Sequence, residues 1–229
     1  SYKYYYLMIS YVKRYYSNMM NSSYINDIIK DIYNVGTIAG TSQYGEIYAH
    51  VEDALIVNDT PSGWPEAIGG LVGRVDAGQT NIYNSSFVGK IDIFSGKKIG
   101  GFVGQFYGDV GNSTLEIYNS RVISAQIQGY QDVAGLVGKL HTQTGGPIQT
   151  AKIKHNYVKV MHNDEFNAPG EIRSTNSNAA ALAVQYNQDA TTQTEVSYNY
   201  VDISSGAIHN PNIDIPIQFF GRALAAVFS

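Results

Sequence analysis

The chain has 229 residues, 44% of them hydrophobic and 15% charged, with 23 glycines, 19 tyrosines, no cysteine and a net charge of −4. That length can bury a substantial core, while the missing cysteine excludes a disulfide framework and any thiolate metal site. An acidic balance with no block of Lys or Arg excludes a nucleic-acid footprint, and no apolar run reaches the about 18 residues that a membrane-crossing helix requires.

From the N-terminus, Tyr5, Met8, Ile9, Val12, Tyr15, Tyr16 and Met19 fall at helical spacing. A second helical pattern follows at Tyr24, Ile25, Ile28, Ile29 and Ile32, with Ser22 or Ser23 placed to cap it. Residues 1–34 are therefore expected to form a helical cap or linker, because an open sheet end leaves unpaired strands that must be covered. The other reading of this Tyr/Met stripe is a binding surface. The first residue is Ser1, without a signal-peptide pattern, and the end, Leu224 to Ser229, is apolar, so the chain reads as a piece of something larger.

The remaining residues, 35–229, read as repeats. A faint first unit places Thr37-Ile-Ala-Gly40 at an offset of 33 from Gly70-Leu-Val-Gly73, followed by Glu46-Ile-Tyr-Ala-His-Val51. Thr60 to Pro65 is a turn-rich connection that holds the single tryptophan, Trp64, either a stacking platform for sugar or a ring folded back on the core. Three clear units follow, marked by Ile68-Gly-Gly-Leu-Val-Gly73, Ile99-Gly-Gly-Phe-Val-Gly104 and Val133-Ala-Gly-Leu-Val-Gly138. Self-similarity at this period is the mark of a stacked repeat. Each motif is expected to form a short strand, with Gly69, Gly70, Gly73, Gly100, Gly101, Gly104, Gly135 and Gly138 admitting neighbouring backbone.

A second strand alternates in Ser86 to Ile93, in Arg121 to Ile127 and in Tyr157 to Met161, with one face buried. Equivalent strands are expected to stack in parallel, turn upon turn. The Ile-Tyr-Asn segments ending at Asn84 and Asn119, with Asn156 and Asn199 in the later units, predict an internal amide ladder. A ligand-binding row of the same asparagines is the alternative. A fourth unit at Ala180 to Val184 has Ala in place of Gly, after a long polar insertion from Asn163 to Ser177 that puts the stacking geometry in doubt, and a fifth start is read at Gln218 to Gly221.

The three Gly-rich segments resemble the GLUG motif, a Gly-Leu-aliphatic-Gly repeat of bacterial surface adhesins and of the non-catalytic regions of IgA-specific metalloendopeptidases. The resemblance covers residues 36–203, strongly for three units. It implies an all-β fold, a right-handed parallel β-solenoid of about four to five rungs, and a secreted or surface-anchored bacterial protein whose repeats act as scaffold or adhesive modules without catalytic residues.

No catalytic signature appears. His-Glu-x-x-His, Gly-x-Ser-x-Gly and the P-loop are absent. The histidines are scattered, and the densest metal-like cluster, His162-Asn-Asp-Glu165, reads as a solvated loop. Solenoid enzymes that cleave glycans need carboxylates, or a carboxylate and a basic group, converging on one outer sheet. The sequence offers only a loose correspondence of Asp92 with Gln126. No catalytic, metal or cofactor residue is assigned. The leading expectation is a non-enzymatic adhesin segment or stalk at the bacterial cell surface or outside the cell, with a host protein or glycan as partner and no insertion of this segment into a membrane. A binding face would use Tyr83, Tyr107, Tyr118, Tyr130 and Tyr157. The competing expectations are a substrate-positioning region of a larger metalloprotease and a glycan-cleaving enzyme.

Overall fold

The computed structural model describes residues 6–12, 34–42, 44–58, 66–140, 149–164, 167–186, 192–209 and 225–228. These residues form strands and no helix. The chain opens with β1 (Tyr6–Val12). The first unit contributes β2 (Asn34–Gly36), β3 (Ala39–Ser42) and β4 (Gly45–Asn58), and the second β5 (Ala67–Gly69), β6 (Val72–Tyr83) and β7 (Ser86–Ile93). The third supplies β8 (Lys98–Gly100), β9 (Val103–Tyr118) and β10 (Arg121–Gly129). The fourth is broken into β11 (Val133–Ala134), β12 (Val137–Leu140), β13 (Gln149–Lys154), β14 (Tyr157–Met161) and β15 (Glu171–Ser174). The fifth comprises β16 (Ala179–Ala180), β17 (Ala183–Tyr186), β18 (Thr192–Ser197), β19 (Tyr200–Ser205) and β20 (Ala207–His209), and β21 (Ala225–Phe228) pairs onto β17.

Every ladder between these strands is parallel, and each joins equivalent segments of successive units. The short strands form one sheet in the order β16-β11-β8-β5-β2, and the others join a larger sheet. This all-β, parallel arrangement is compatible with a β-helix. Its core consists of like residues stacked in register. Ile56, Ile91, Ile127, Ile172 and Ile208 form one column, and Val51, Phe87, Val122, Val158 and Val201 another. A third runs through Ile47, Ile82, Ile117, Ile153 and Val196. The alternation that predicts β7 is visible in its burial, since Phe87, Ile91 and Ile93 are fully covered while Val88, Lys90 and Asp92 face outward. Branched residues suit this pleated, half-buried surface.

Three expectations require correction. Residues 6–12, read as helical, form a strand paired with β4 from Tyr6↔Glu46 to Val12↔Val51. The stretch YLMISYV is rich in β-branched and aromatic residues, and the free edge of β4 outweighs its weak helical spacing. The rest of the helical reading, like Trp64 and the start at Gln218, lies outside the described residues. Second, the Gly motif is not one strand but a corner: Ile68-Gly69 ends β5, Gly70-Leu71 turns the chain, and Val72 begins β6. Third, the insertion before the fourth Gly-like segment preserves the stack. Its second half holds β15, which restores Glu171↔Gln126 and Ile172↔Ile127, so most of the added length lies in an excursion around the Asn163–Ala168 bridge.

Candidate functional site: an exposed aromatic column

The glycines stand where backbone meets backbone. A Cβ on Gly69 would lie 1.9 Å from the Val72 carbonyl oxygen, and one on Gly100 would lie 2.0 Å from that of Val103. At Gly70, Gly101 and Gly135 the obstacle is the carbonyl of the next unit, at 2.1, 2.2 and 2.0 Å, with Phe87, Val122 or Val158 pressing from the opposite strand. Gly73, Gly104 and Gly138 share a further column, in which the Gly73 oxygen is 2.6 Å from a Cβ built on Gly104 and the Gly104 oxygen is 2.6 Å from one on Gly138. The corner is compact because these side chains are absent.

The expected asparagine ladder divides in two. Asn84, Asn119, His155 and Tyr198 occupy one register position, all with positive φ (46°, 49°, 55° and 56°), where the chain turns between strands. Asn tolerates this left-handed region better than most residues. The side chains of Asn84 and Asn119 are exposed and joined by one hydrogen bond, from Asn119 Nδ2 to Asn84 Oδ1 at 2.6 Å. They are therefore not internal. Asn156 belongs to the next position, with Ser85, Ser120 and Asn199, because β14 follows the turn one residue out of phase with the sequence match. These four residues are the true inner ladder. The backbone N–H groups of Ala49, Ser85, Ser120 and Asn156 donate in turn to Ser85 Oγ, Ser120 Oγ, Asn156 Oδ1 and Asn199 Oδ1, at 2.9–3.0 Å.

Along the outside of this corner runs a continuous line of rings: Tyr48, Tyr83, Tyr118, His155 and Tyr198. Successive centroids are 6.0, 6.4, 5.1 and 5.0 Å apart. Tyr48, Tyr118 and Tyr198 are 41, 45 and 79% exposed. The first three rings follow the buried isoleucines Ile47, Ile82 and Ile117, so strand alternation turns them outward. The last two sit at the positive-φ position itself. Beyond the corner Tyr157 stacks on Tyr200 at 5.6 Å.

The family model for the GLUG motif matches residues 65–92. The chain carries the GLUG motif. No curated protein and no solved structure matches it. The matched GLUG segment spans one corner, β5 through β6, and most of β7, and it contains one ring of the column, Tyr83.

The ionisable groups beside the GLUG corner are paired. Tyr83 donates its hydroxyl to Glu116 at 3.0 Å, and Lys152 donates to the other oxygen of that carboxylate at 2.8 Å. Burial, and then the Glu116 hydrogen bond, push the Tyr83 phenol up to about 12. The Lys152 hydrogen bond holds Glu116 below the usual carboxylate value. Lys154 pairs with Glu195 at 2.6 Å. On the outer face of β10 and β15, Glu171 is buried beneath Gln126 Nε2 at 3.1 Å, His209 Nε2 at 3.3 Å and Arg173 at 3.8 Å. A carboxylate and basic groups thus do converge there, and Asp92 aligns with Gln128 rather than with Gln126. Among the described residues no three His, Asp or Glu side chains are placed to hold a metal ion.

Of the five tyrosines named from sequence, the structure brings Tyr83 and Tyr118 into the column and places Tyr157 beside it. Tyr107 lies under the Arg74 guanidinium, 4.0 Å away, and Tyr130 is half-buried away from the line. Sequence reasoning missed Tyr48, His155, Tyr198 and Tyr200. The signal for Tyr48 was present, since Ile47-Tyr48 repeats Ile82-Tyr83 and Ile117-Tyr118. His155 and Tyr198 required the one-residue phase shift, which no motif announces.

Proposed function

We propose that this chain is a non-catalytic GLUG-repeat module of a bacterial secreted or cell-surface protein, a right-handed β-solenoid of about four to five rungs serving as an adhesive segment or stalk. The observation that carries this reading is the aromatic column: a parallel stack sets one ring per unit along a surface line. Large apolar groups gathered on a surface mark interaction sites, and Tyr supplies contact area at low conformational cost. A catalytic reading has its best candidate at Glu171, but that carboxylate is buried beneath donors that occupy it, which leaves it poorly placed to exchange a proton with a substrate.

Adhesion of beads coated with the purified protein to host cells and matrix proteins tests the adhesive reading. Retention above uncoated beads is expected, and it should fall when Tyr118 and Tyr198 are both changed to Ala. Wild-type beads that adhere to no surface would reduce the reading to a stalk. A crystal structure tests the handedness.

A further inference from the structure

On the basis of that adhesive reading, we propose that the aromatic column is the binding site of a neutral, linear polysaccharide laid along the stacking direction. Three features point to this ligand class. The first is ring orientation. Parallel strands in register favour rings stacked flat on one another, as His155 and Tyr198 are, with 8° between their planes. The three contacts above them are turned by 45°, 73° and 69°. Those rings are not stacked flat on one another, and Tyr48 and Tyr118 remain 41 and 45% exposed. The negative face of an aromatic ring attracts the weakly positive C–H groups on the flat side of a sugar ring, as it attracts other positive charge.

The second feature is continuity. Neighbouring rings touch, at 5.0–6.4 Å between centroids. The line therefore offers a ridge and no slots into which a proline-rich peptide would insert its rings. A chain of flat units placed one after another matches a ridge. The third is charge. Glu116 is taken up by Lys152 and Tyr83, and Glu195 by Lys154. The flanks of the column thus present paired charges, which suit hydroxyl groups as donors and acceptors and give no net attraction to an anionic ligand. The exposed amides of Asn84 and Asn119 lie beside the rings at the corner and add further hydrogen-bonding capacity.

Titration calorimetry of the purified protein against soluble neutral glucans, mannans and galactans, an anionic polyuronate, and a proline-rich peptide tests the proposal, with the bead adhesion assay run in parallel. Binding to at least one neutral linear glycan is expected, almost unchanged between 50 and 500 mM salt, since screening weakens only charged contacts. Tyr118→Ala should weaken it roughly 10-fold, the loss of one aromatic contact, and Tyr198→Ala similarly. Tyr118→Phe, which keeps the ring, should bind nearly as wild type. Phe94→Ala, an exposed ring off the column, should change nothing. Thermal melting of each variant checks that it is folded. Binding restricted to the polyuronate and abolished by salt, or to the peptide, overturns the glycan assignment. So does adhesion to a host protein with no heat from any glycan, and this outcome leaves the adhesive reading intact. Absence of both adhesion and glycan binding overturns the two together.

Discussion

Replacing Gly101 by Ala isolates the contact on which the corner depends. The added Cβ would lie 2.2 Å from the Gly135 carbonyl oxygen and 2.7 and 2.9 Å from the two methyl groups of Val122. The methyl groups can shift, but the carbonyl belongs to the next corner, whose backbone is itself bonded onward from Gly135 N to Ala180 O. Relief therefore means prying two units apart. Overpacking of this kind costs about 1–3 kcal/mol, and the stiffer unfolded chain returns roughly 0.4–1 kcal/mol. The net loss is about 1–2 kcal/mol, which for a chain of this size lowers Tm by roughly 2–8 °C.

Calorimetry or circular dichroism melting reads this directly, and in urea the midpoint should fall at unchanged slope. Gly96→Ala is the matched control, because its three nearest obstacles, at 2.8–3.0 Å, are all methyl ends of isoleucines. It should cost distinctly less. If Gly101→Ala melts with the wild type, or no lower than Gly96→Ala, close approach of successive corners is not what the glycine provides.

Three further outcomes follow from the same geometry. Ile127→Ala removes a fully buried side chain from the isoleucine column and should cost about 2–5 kcal/mol in urea unfolding, whereas Ile208→Ala, at the half-buried end, should cost less. Asn156→Ala strips the acceptor from the Ser120 N–H and should cost about 1–3 kcal/mol, while Asn119→Gly, exposed and at positive φ, should be nearly neutral. A reversed order would return Asn119 to the inner ladder. The Tyr83 phenol, raised to about 12, keeps its proton in the folded state while the unfolded chain loses it near 10. Its contribution is thus fully present below pH 10 and is lost as pH rises toward 12. Phenolate absorbance of wild type minus Tyr83→Phe should show this late titration, and a difference centred at 10 would refute it.

The architecture was legible because its signal is repetition. Ile68, Ile99 and Val133 pair in register, and so do Val72, Val103 and Val137. The glycine spacing alone implied this. The corner was not legible, since two glycines within an apolar run look the same in a strand and in a bend. The N-terminal strand was lost to a different ambiguity: seven residues of mixed Tyr, Ile, Met and Val satisfy helical and extended spacing alike, and only a partner strand decides. The site was half legible. Tyr83 and Tyr118 follow the repeated Ile, but a motif match that sets Asn156 against Asn119 cannot report that the turn falls one residue earlier, at His155.

That phase shift shows what holds the surface line in place. The units differ in length, with 35 residues from Asn84 to Asn119, 36 from Asn119 to His155 and 43 from His155 to Tyr198. Even so, the column of Ile82, Ile117, Ile153 and Val196 returns to register before every corner. The rings are positioned by this column, which lies one residue before Tyr83 and Tyr118 and two before His155 and Tyr198, and length differences are discharged elsewhere. A one-residue slip within a strand would exchange its inner and outer faces. One glycine inserted next to Asp164, whose side chain is 97% exposed, should thus leave Tm within about 2 °C of wild type, a surface change of roughly 0.5 kcal/mol. The same glycine inserted between Asn81 and Ile82 should push the fully buried Ile82 out of the core column and cost several kcal/mol, by loss of its burial and of the Tyr83–Glu116 bond. Equal tolerance at the two sites, read by thermal melting, would mean that the surface line is not fixed by the core beneath it.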